Sequence, residues 1–245
     1  MQFDFLSRTH LILGDSGLEK LKNSHVIIFG IGGVGSCVAE MLCRGGVGKM
    51  TIVDGDKIVL SNLNRQLHTT RENLDEFKTR ALRNRLYSIN PHLQLIEIQK
   101  YLKYKEEFEE ILSNGSYTYV VDSIDTLTSK CLLIETAYKM KYPIITAFGA
   151  GGKVDPTKVS LADISETHHC RLAYYVRKKL HKIGIYKGIR TVYSYEVPQK
   201  RYTTLDSPVR GKKSTIGTIS YMPNLFGCYV SAEVLLGILG KLHTV

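Results

Sequence analysis

A chain of 245 residues, 43% of them hydrophobic, is long enough for one large or two small domains and has the means to bury a sizeable core, which excludes wholesale disorder. Its five cysteines (Cys37, Cys43, Cys131, Cys170, Cys228) contain no C-x-x-C pair, which argues against a structural zinc and a disulfide framework and for a reducing, cytoplasmic compartment. The formal net charge is +10, and between Thr167 and Lys213 twelve Lys/Arg face only Glu196 and Asp206, so the whole excess lies in that stretch and predicts a polyanionic partner met by one surface.

In chain order, Met1–His10 lacks the apolar core of a signal peptide. Asp15–Asn23 is predicted as a short helix capped by Asp15, preceded by Phe3–Leu13, which carries Arg8. Val26–Phe29 is a strand, Gly30-Ile31-Gly32-Gly33-Val34-Gly35 a glycine-rich turn, and Ser36–Arg44 a helix. Gly30, Gly32 and Gly35 occupy the G-x-G-x-x-G positions: tight turn, close approach of a phosphate, and helix packed on strand. Free N–H groups at the helix start would face the anion. The next strand, Met50–Val53, ends in Asp54, where an acid reaches ribose hydroxyls.

A polar loop, Gly55–Gln66, follows. Asn73–Asn90 is a predicted helix with Leu74, Phe77, Ala81, Leu82 and Ile89 on one face and Lys78 near its start, ended by Asn90-Pro91. Leu93–Ile98 is a strand, Tyr104–Leu112 a helix, and Tyr117–Val121 a strand ending at Asp122-Ser123-Ile124-Asp125. Leu127–Met140 is a helix, and Pro143–Phe148 a strand leading into Gly149-Ala150-Gly151-Gly152. Val159–Asp163, Thr191–Tyr195 and Thr218–Tyr221 are predicted as short strands. Cys170–Ile183 is a helix with Leu172, Val176, Leu180 and Ile183 on one face and Arg171, Lys178 and Lys182 on the other. Tyr195–Gly217 is a polar loop. Leu225–Leu239, interrupted by Gly227, Ser231, Glu233 and Gly237, is short for a membrane span and reads as a buried helix, so no integral membrane segment is expected.

Alternating strands and helices predict an α/β, Rossmann-like architecture: a mostly parallel sheet with helices on both faces, plus a C-terminal extension of short antiparallel strands and helices. The expected division is a nucleotide-binding region over 1–153 and a basic substrate region over 154–245 packed on the same fold. Ligands gather beyond the carboxyl ends of such strands. Gly32, Asp54, Asp122, Asp125 and Gly149 all fall there, so one crevice could collect them.

Taken together, Gly30–Ser36, Val53-Asp54-Gly55-Asp56, Ser61-Asn62-Leu63-Asn64-Arg65-Gln66, Lys78 and Asp122-Ser123-Ile124-Asp125 resemble the ubiquitin-activating-like adenylating superfamily, over Arg8 to about Gly152. The resemblance implies ATP rather than a nicotinamide dinucleotide. It places Gly30, Gly32, Gly33 and Gly35 around phosphate, Asp54 on the ribose with Asp56 beside it, and Asn62, Arg65 and Lys78 on the triphosphate. Asp125 would hold Mg2+, with Asp122 as the weaker alternative. Arg8 would reach the ATP of a neighbouring subunit, which implies a homodimer; the catalytic set is then Arg65, Lys78, Asp125 and Arg8.

The second half, from Ala162–Thr167 through Cys170-Arg171-Leu172-Ala173 and Glu196-Val197-Pro198 to Gly217–Pro223, is similar to the tRNA threonylcarbamoyladenosine dehydratase branch. That implies ATP-dependent cyclisation of a threonylcarbamoyl group on a tRNA adenosine beside the anticodon. Arg171, Arg177, Lys178, Lys182, Lys187 and Arg190 become candidates for tRNA phosphates, and Tyr174, Tyr175 and Tyr186 either stack on bases or belong to the core. The resemblance further suggests a monovalent cation and a cysteine-desulfurase or sulfur-relay partner. The alternative is activation of the C-terminus of a ubiquitin-like sulfur carrier; the missing C-x-x-C pairs and the basic second half count against it.

Overall fold

The computed structural model describes residues 5–199, 202–204 and 215–241. In chain order the elements are α1 (Ser7–Lys22), β1 (His25–Phe29), α2 (Gly33–Gly45), β2 (Lys49–Val53), α3 (Lys78–Ile89), β3 (Gln94–Ile98), α4 (Lys105–Ser113) and β4 (Tyr119–Asp122). There follow α5 (Leu127–Lys139), β5 (Ile144–Ala147), β6 (Val159–Asp163), α6 (Arg171–His181), β7 (Arg190–Ser194), β8 (Thr203–Thr204), β9 (Thr215–Ile216) and α7 (Tyr221–Leu239).

Seven strands form one sheet in the order β3-β2-β1-β4-β5-β7-β6, parallel throughout except for the antiparallel pair β6–β7. The central strands are apolar runs rather than alternating ones, and every residue of β1, β4 and β5 is buried, as a sheet covered on both faces requires. One core packs Ile28, Met50, Leu42, Phe226 and Val230 between the sheet and α2, α3 and α7. The other packs Phe29, Phe108, Ile134 and Val176 beneath α4, α5 and α6. From β1 the chain winds first toward β2 and β3 and then crosses to β4, so strand order reverses between β1 and β4, the position where an open sheet leaves a ligand crevice.

The C-terminal extension supplies the expected short antiparallel strands, β6 and β7, which join the edge of the same sheet. Several elements differ from the sequence expectation. Thr218–Tyr221 is not a strand: the small hairpin pairs Thr203 with Ile216 and Thr204 with Thr215, and α7 begins at Tyr221. Most of the 195–217 loop lies outside the described residues. Helix α3 starts at Lys78, not Asn73, because the chain before it folds back on the polar loop, where Ile58 N–H donates to the Glu76 carbonyl and Lys57 pairs with Phe77. The first helix begins at Ser7 and kinks at Gly14, whose φ of +67° lies in the left-handed region. Helix α7 is 19 residues long with a mean hydropathy of 1.4, enough to cross a membrane by length and composition. It is nonetheless a core helix, carrying Met222, Phe226, Val230 and Val234 at 0% exposure against α2 and the sheet.

Candidate active site

The glycine turn is built by close approach. Gly30 has φ +80°, and a Cβ there would stand 2.9 Å from the Ser123 carbonyl oxygen at the end of β4. A Cβ on Gly35 would lie 1.9 Å from the Gly30 carbonyl oxygen, so only glycine lets α2 sit back against β1. Gly32 is the N-cap of α2 and no side chain caps it, which leaves the first helical N–H groups available to an anion.

Asp54 follows β2 and is mostly spent on this loop. One carboxylate oxygen accepts the Ile31 N–H (2.9 Å) and the other the Asp56 N–H (2.8 Å). Burial pushes its pKa up, against the opposing pull of Lys78 and the two N–H donors. Lys78, the first residue of α3, is buried at 6% exposure, and its Nζ stands 2.6 Å from Asp56 Oδ2. An ammonium at a helix N-terminus is unfavourable on its own, so it calls for anions, and Asp56 supplies one. Tyr101 completes the set: its hydroxyl donates to Asp56 Oδ1 at 2.5 Å, and a Cβ on Gly55 would come within 2.7 Å of its ring. The Asp56 carboxylate holds the Tyr101 pKa up at about 12.

Arg65 lies across the front of the glycine turn. Its Cγ would stand 3.3 Å from a Cβ on Gly33, and its Nη1 donates to the Ser61 carbonyl (2.9 Å) and to Asn64 Oδ1 (2.8 Å). Burial lowers the Arg65 pKa and the charge of Asp125 raises it, so these two side chains face one field. Asn62, buried at 7% exposure, accepts the Val59 N–H and shapes the short 3-10 turn before Arg65. The start of α7 clamps the loop: Asn64 Nδ2 donates to the Thr218 carbonyl, Asn224 Nδ2 to the Arg65 carbonyl, and Pro223 packs at Gly33.

Asp122, expected among the nucleotide and metal contacts, is instead fully buried. Lys130 Nζ (2.6 Å) and Thr146 Oγ1 (2.5 Å) hold one oxygen, and the other accepts the Ile124 N–H (3.0 Å), which shapes the turn before Asp125. Asp125 itself is exposed beyond β4. Arg8 is not brought to its own chain's site. The neighbouring Leu6 packs on Gly46 at the far end of α2, and a helix of that length puts about 20 Å between the two ends.

Of the basic candidates, Arg171, Lys178, Lys182 and Lys187 are exposed. The other two are engaged within the chain: Arg177 donates to the carbonyl and hydroxyl of Thr167, and Arg190 donates to Glu233 on α7 at 2.6 Å. Tyr174 (53%), Tyr175 (39%) and Tyr186 (60%) are exposed rather than core, and the Arg171 guanidinium lies over the Tyr175 ring.

Two further buried groups, Gln66 at the end of the polar loop and His68 just past it, have no role assigned by the sequence. Among the described residues Gln66 Oε1 has no hydrogen-bond partner, and Gln66 Nε2 lies 3.8 Å from where a Cβ on Gly32 would be. Neither ring nitrogen of His68 has a partner among the described residues, and burial, with Lys78 and Arg85 nearby, pulls its pKa down from 6.5 to about 3. Between those pH values the unfolded chain binds a proton at His68 that the folded chain refuses. The stability due to its neutral form is therefore complete above about pH 6.5 and is lost progressively as pH falls toward 3. His68→Asn is expected to flatten the dependence of urea-unfolding stability on pH between 6.5 and 4; an unchanged slope would contradict the assignment.

The cradle suits a nucleoside triphosphate. At Gly30, Gly33 and Gly35 a Cβ would come within 2.9 Å of a neighbour, Ser36 Oγ, Gln66 Oε1 and Ser123 Oγ are buried without partners among the described residues, and Arg65 and Lys78 supply positive charge. Among the described residues no group of three or more His, Cys, Asp and Glu could hold a metal ion. One carboxylate suffices for Mg2+ when substrate phosphates provide the other ligands, so Asp125 fits that role and the buried Asp122 does not.

A family model described as the ThiF family matches residues 6–245. The chain belongs to the ThiF family. Within it, the chain is 36% identical over 240 residues to the tRNA threonylcarbamoyladenosine dehydratase of Bacillus subtilis, covering 95% of this chain and 94% of that one. It is 33% identical over 214 residues to the Escherichia coli protein of the same name, with 84% and 78% covered. The crystal structure of the E. coli dehydratase in complex with ATP superposes with a TM-score of 0.86 at 29% identity, over 96% of this ThiF-family chain and 94% of that one.

Proposed function

We propose that this ThiF-family protein is an ATP-dependent tRNA threonylcarbamoyladenosine dehydratase. The observation that carries the reading is the near full-length match to a dehydratase, in both chains, across the basic second half as well as the glycine turn. The exposed Arg171, Lys178, Lys182 and Lys187 support it, since a protein substrate has no need of such a face.

The chemistry asks for charge control. A carboxylate is a poor electrophile and its oxygen a poor leaving group, so the threonylcarbamoyl carboxylate attacks the α-phosphorus of ATP, and pyrophosphate leaves with the electron pair of the broken P–O bond. The ureido oxygen of the same group then closes on the activated carboxyl carbon, the ureido N–H gives up its proton, and AMP departs. The nucleophile is already attached, so no covalent enzyme intermediate is needed. The chain's own task is to bring two anions together. Arg65 and Lys78 neutralise charge at the α-phosphorus, the first turn of α2 donates N–H groups to phosphate, Asp54 meets the ribose with Asp56 beside it holding Lys78, and Asn62 shapes the loop that presents Arg65. Mg2+ at Asp125 would screen the pyrophosphate charge. Arg8, on the helix that starts beside Gly46 at the opposite end of α2 from the glycine turn, would serve a neighbouring subunit, which makes the functional unit a homodimer.

Pyrophosphate exchange into ATP tests the substrate class. Exchange stimulated by tRNA carrying threonylcarbamoyladenosine supports the reading; exchange stimulated only by a small carrier protein ending in Gly-Gly would support sulfur-carrier activation instead. Electrostatic docking makes a second expectation. Lys178→Ala with Lys182→Ala should weaken tRNA binding at low salt and reduce the slope of log affinity against log salt by about 2. A titration over several salt concentrations checks this, and an unchanged slope would remove these two residues from the interface.

A further inference from the structure

Past β7 the chain builds a feature that the phosphate chemistry does not use. The ring of His168 stacks on that of Tyr195 with centroids 5.8 Å apart and planes 27° apart, and His169 and Tyr193 meet His168 edge-on at 5.2 and 5.6 Å. His168 and Tyr195 both remain exposed, Tyr195 at 38%.

The rings are held rather than loose. His168 Nδ1 lies 3.1 Å from the Glu166 carbonyl oxygen and 3.2 Å from the Tyr193 hydroxyl, and the Tyr195 N–H donates to the Lys158 carbonyl. Arg177 grips the carbonyl and hydroxyl of Thr167, the residue before His168. His169 has φ +53°, a left-handed conformation that costs energy outside glycine and is retained where its surroundings impose it.

The position is informative. Register aligns Phe29, Val53, Asp122 and Thr146 along one line at the carboxyl ends of the strands, and Thr191 pairs with Thr146, so Tyr195 stands four residues beyond that line. β7 is three strands from β1, or about 14 Å, on the far side of β4 and β5 from the glycine turn. A modified nucleotide whose carboxylate reaches the glycine turn can lay its base and its neighbours over β4, β5 and β7. Two oriented, half-open rings at that flank have the composition of a stacking platform for single-stranded bases.

We infer that Tyr195 and His168 form a base-stacking wall that holds an unpaired anticodon-loop base beside the adenylation site. The inference rests on the tRNA-dehydratase reading. Its residues act through substrate positioning, not on the reacting atoms.

The test is fluorescence anisotropy of a labelled anticodon stem–loop RNA with the full chain, repeated across salt concentrations, for wild type, Tyr195→Ala, Tyr195→Phe and His168→Ala. Tyr195→Ala is expected to weaken binding roughly 5- to 100-fold, the range for loss of one base–aromatic stack, with the salt slope and the KM for ATP unchanged. Tyr195→Phe should stay within about twofold of wild type, because it keeps the ring, and His168→Ala should fall in the same direction as Tyr195→Ala. Affinity of Tyr195→Ala within twofold of wild type would overturn the inference, as would a loss accompanied by an equal rise in the KM for ATP or by a lower melting temperature. If wild type binds the RNA through Tyr195 but does not dehydrate it, the wall stands and the dehydratase reading fails. If it dehydrates but ignores Tyr195→Ala, the reading stands and the wall fails.

Discussion

Lys78→Ala is expected to lower the rate of threonylcarbamoyladenosine dehydration by about 10²–10³-fold, equivalent to roughly 3–4 kcal/mol of transition-state stabilisation. The magnitude follows from the setting. Lys78 is buried at the start of α3 and meets Asp56 at 2.6 Å, with Asp54 close enough to perturb. Truncation turns a balanced cluster into one with two unneutralised carboxylates facing an incoming triphosphate, and the lost charge acts where water is largely excluded. Lys78→Arg keeps the charge but cannot place a compact ammonium in the same space, so only partial recovery is expected. Steady-state kinetics with ATP and modified tRNA varied separately checks the assignment. A fall in kcat supports a role at the phosphorus, whereas a rise in the KM for ATP alone would reduce Lys78 to a ground-state contact.

The second large effect is structural. Gly35→Ala puts a Cβ 1.9 Å from the Gly30 carbonyl oxygen and 3.3 Å from Ser123 Cβ. The first of these atoms is backbone at the end of β1 and cannot rotate away, so α2 must lift off the strand. Its first turn, which would receive phosphate, moves with it. The expected result is loss of ATP binding by more than about tenfold, together with about 1–3 kcal/mol of destabilisation. Gly45→Ala on the same helix is the control: its Cβ would meet only the branched end of Leu235 at 3.1 Å, a side chain able to turn aside. Calorimetric titration with ATP and urea unfolding separate the two consequences. Equal behaviour of the two variants would contradict the proposed role of the Gly30–Gly35 contact.

These two residues were legible before any coordinates because their chemistry travels with local pattern. A glycine turn between an apolar strand and a helix can be read from spacing, and Lys78 can be placed by its match to an adenylating motif. Tyr101 could not be read in this way. It follows β3, 45 residues from Asp56, and nothing in a linear pattern says that its hydroxyl closes on that carboxylate. The sequence ranks Asp125 above Asp122 but does not show why: Asp122 is the last residue of the fully buried β4 and is held by Lys130, whereas Asp125 lies beyond the strand end and is exposed. Basic residues fail for a related reason. Composition counts Arg177 and Arg190 toward a surface field, whereas Thr167 and Glu233 engage them within the chain, and such pairings depend on tertiary neighbours alone. Thr218–Tyr221 has the β-branched and aromatic residues of a strand, but docking of α7 against α2 and Gly33 draws it into the approach to a helix, so packing overrides local propensity.

In the proposed mechanism one cradle adenylates a tRNA-borne carboxylate so that it can close on itself. The most direct measurement is mass spectrometry of nucleosides released from threonylcarbamoyladenosine-containing tRNA after incubation with this protein, ATP and Mg2+. The modified nucleoside is expected to lose the mass of one water, AMP and pyrophosphate to appear in equal amounts, and both changes to vanish without ATP and to slow by about 10²–10³-fold with Lys78→Ala. An unchanged nucleoside, from folded protein that binds both ATP and the tRNA, would contradict the mechanism.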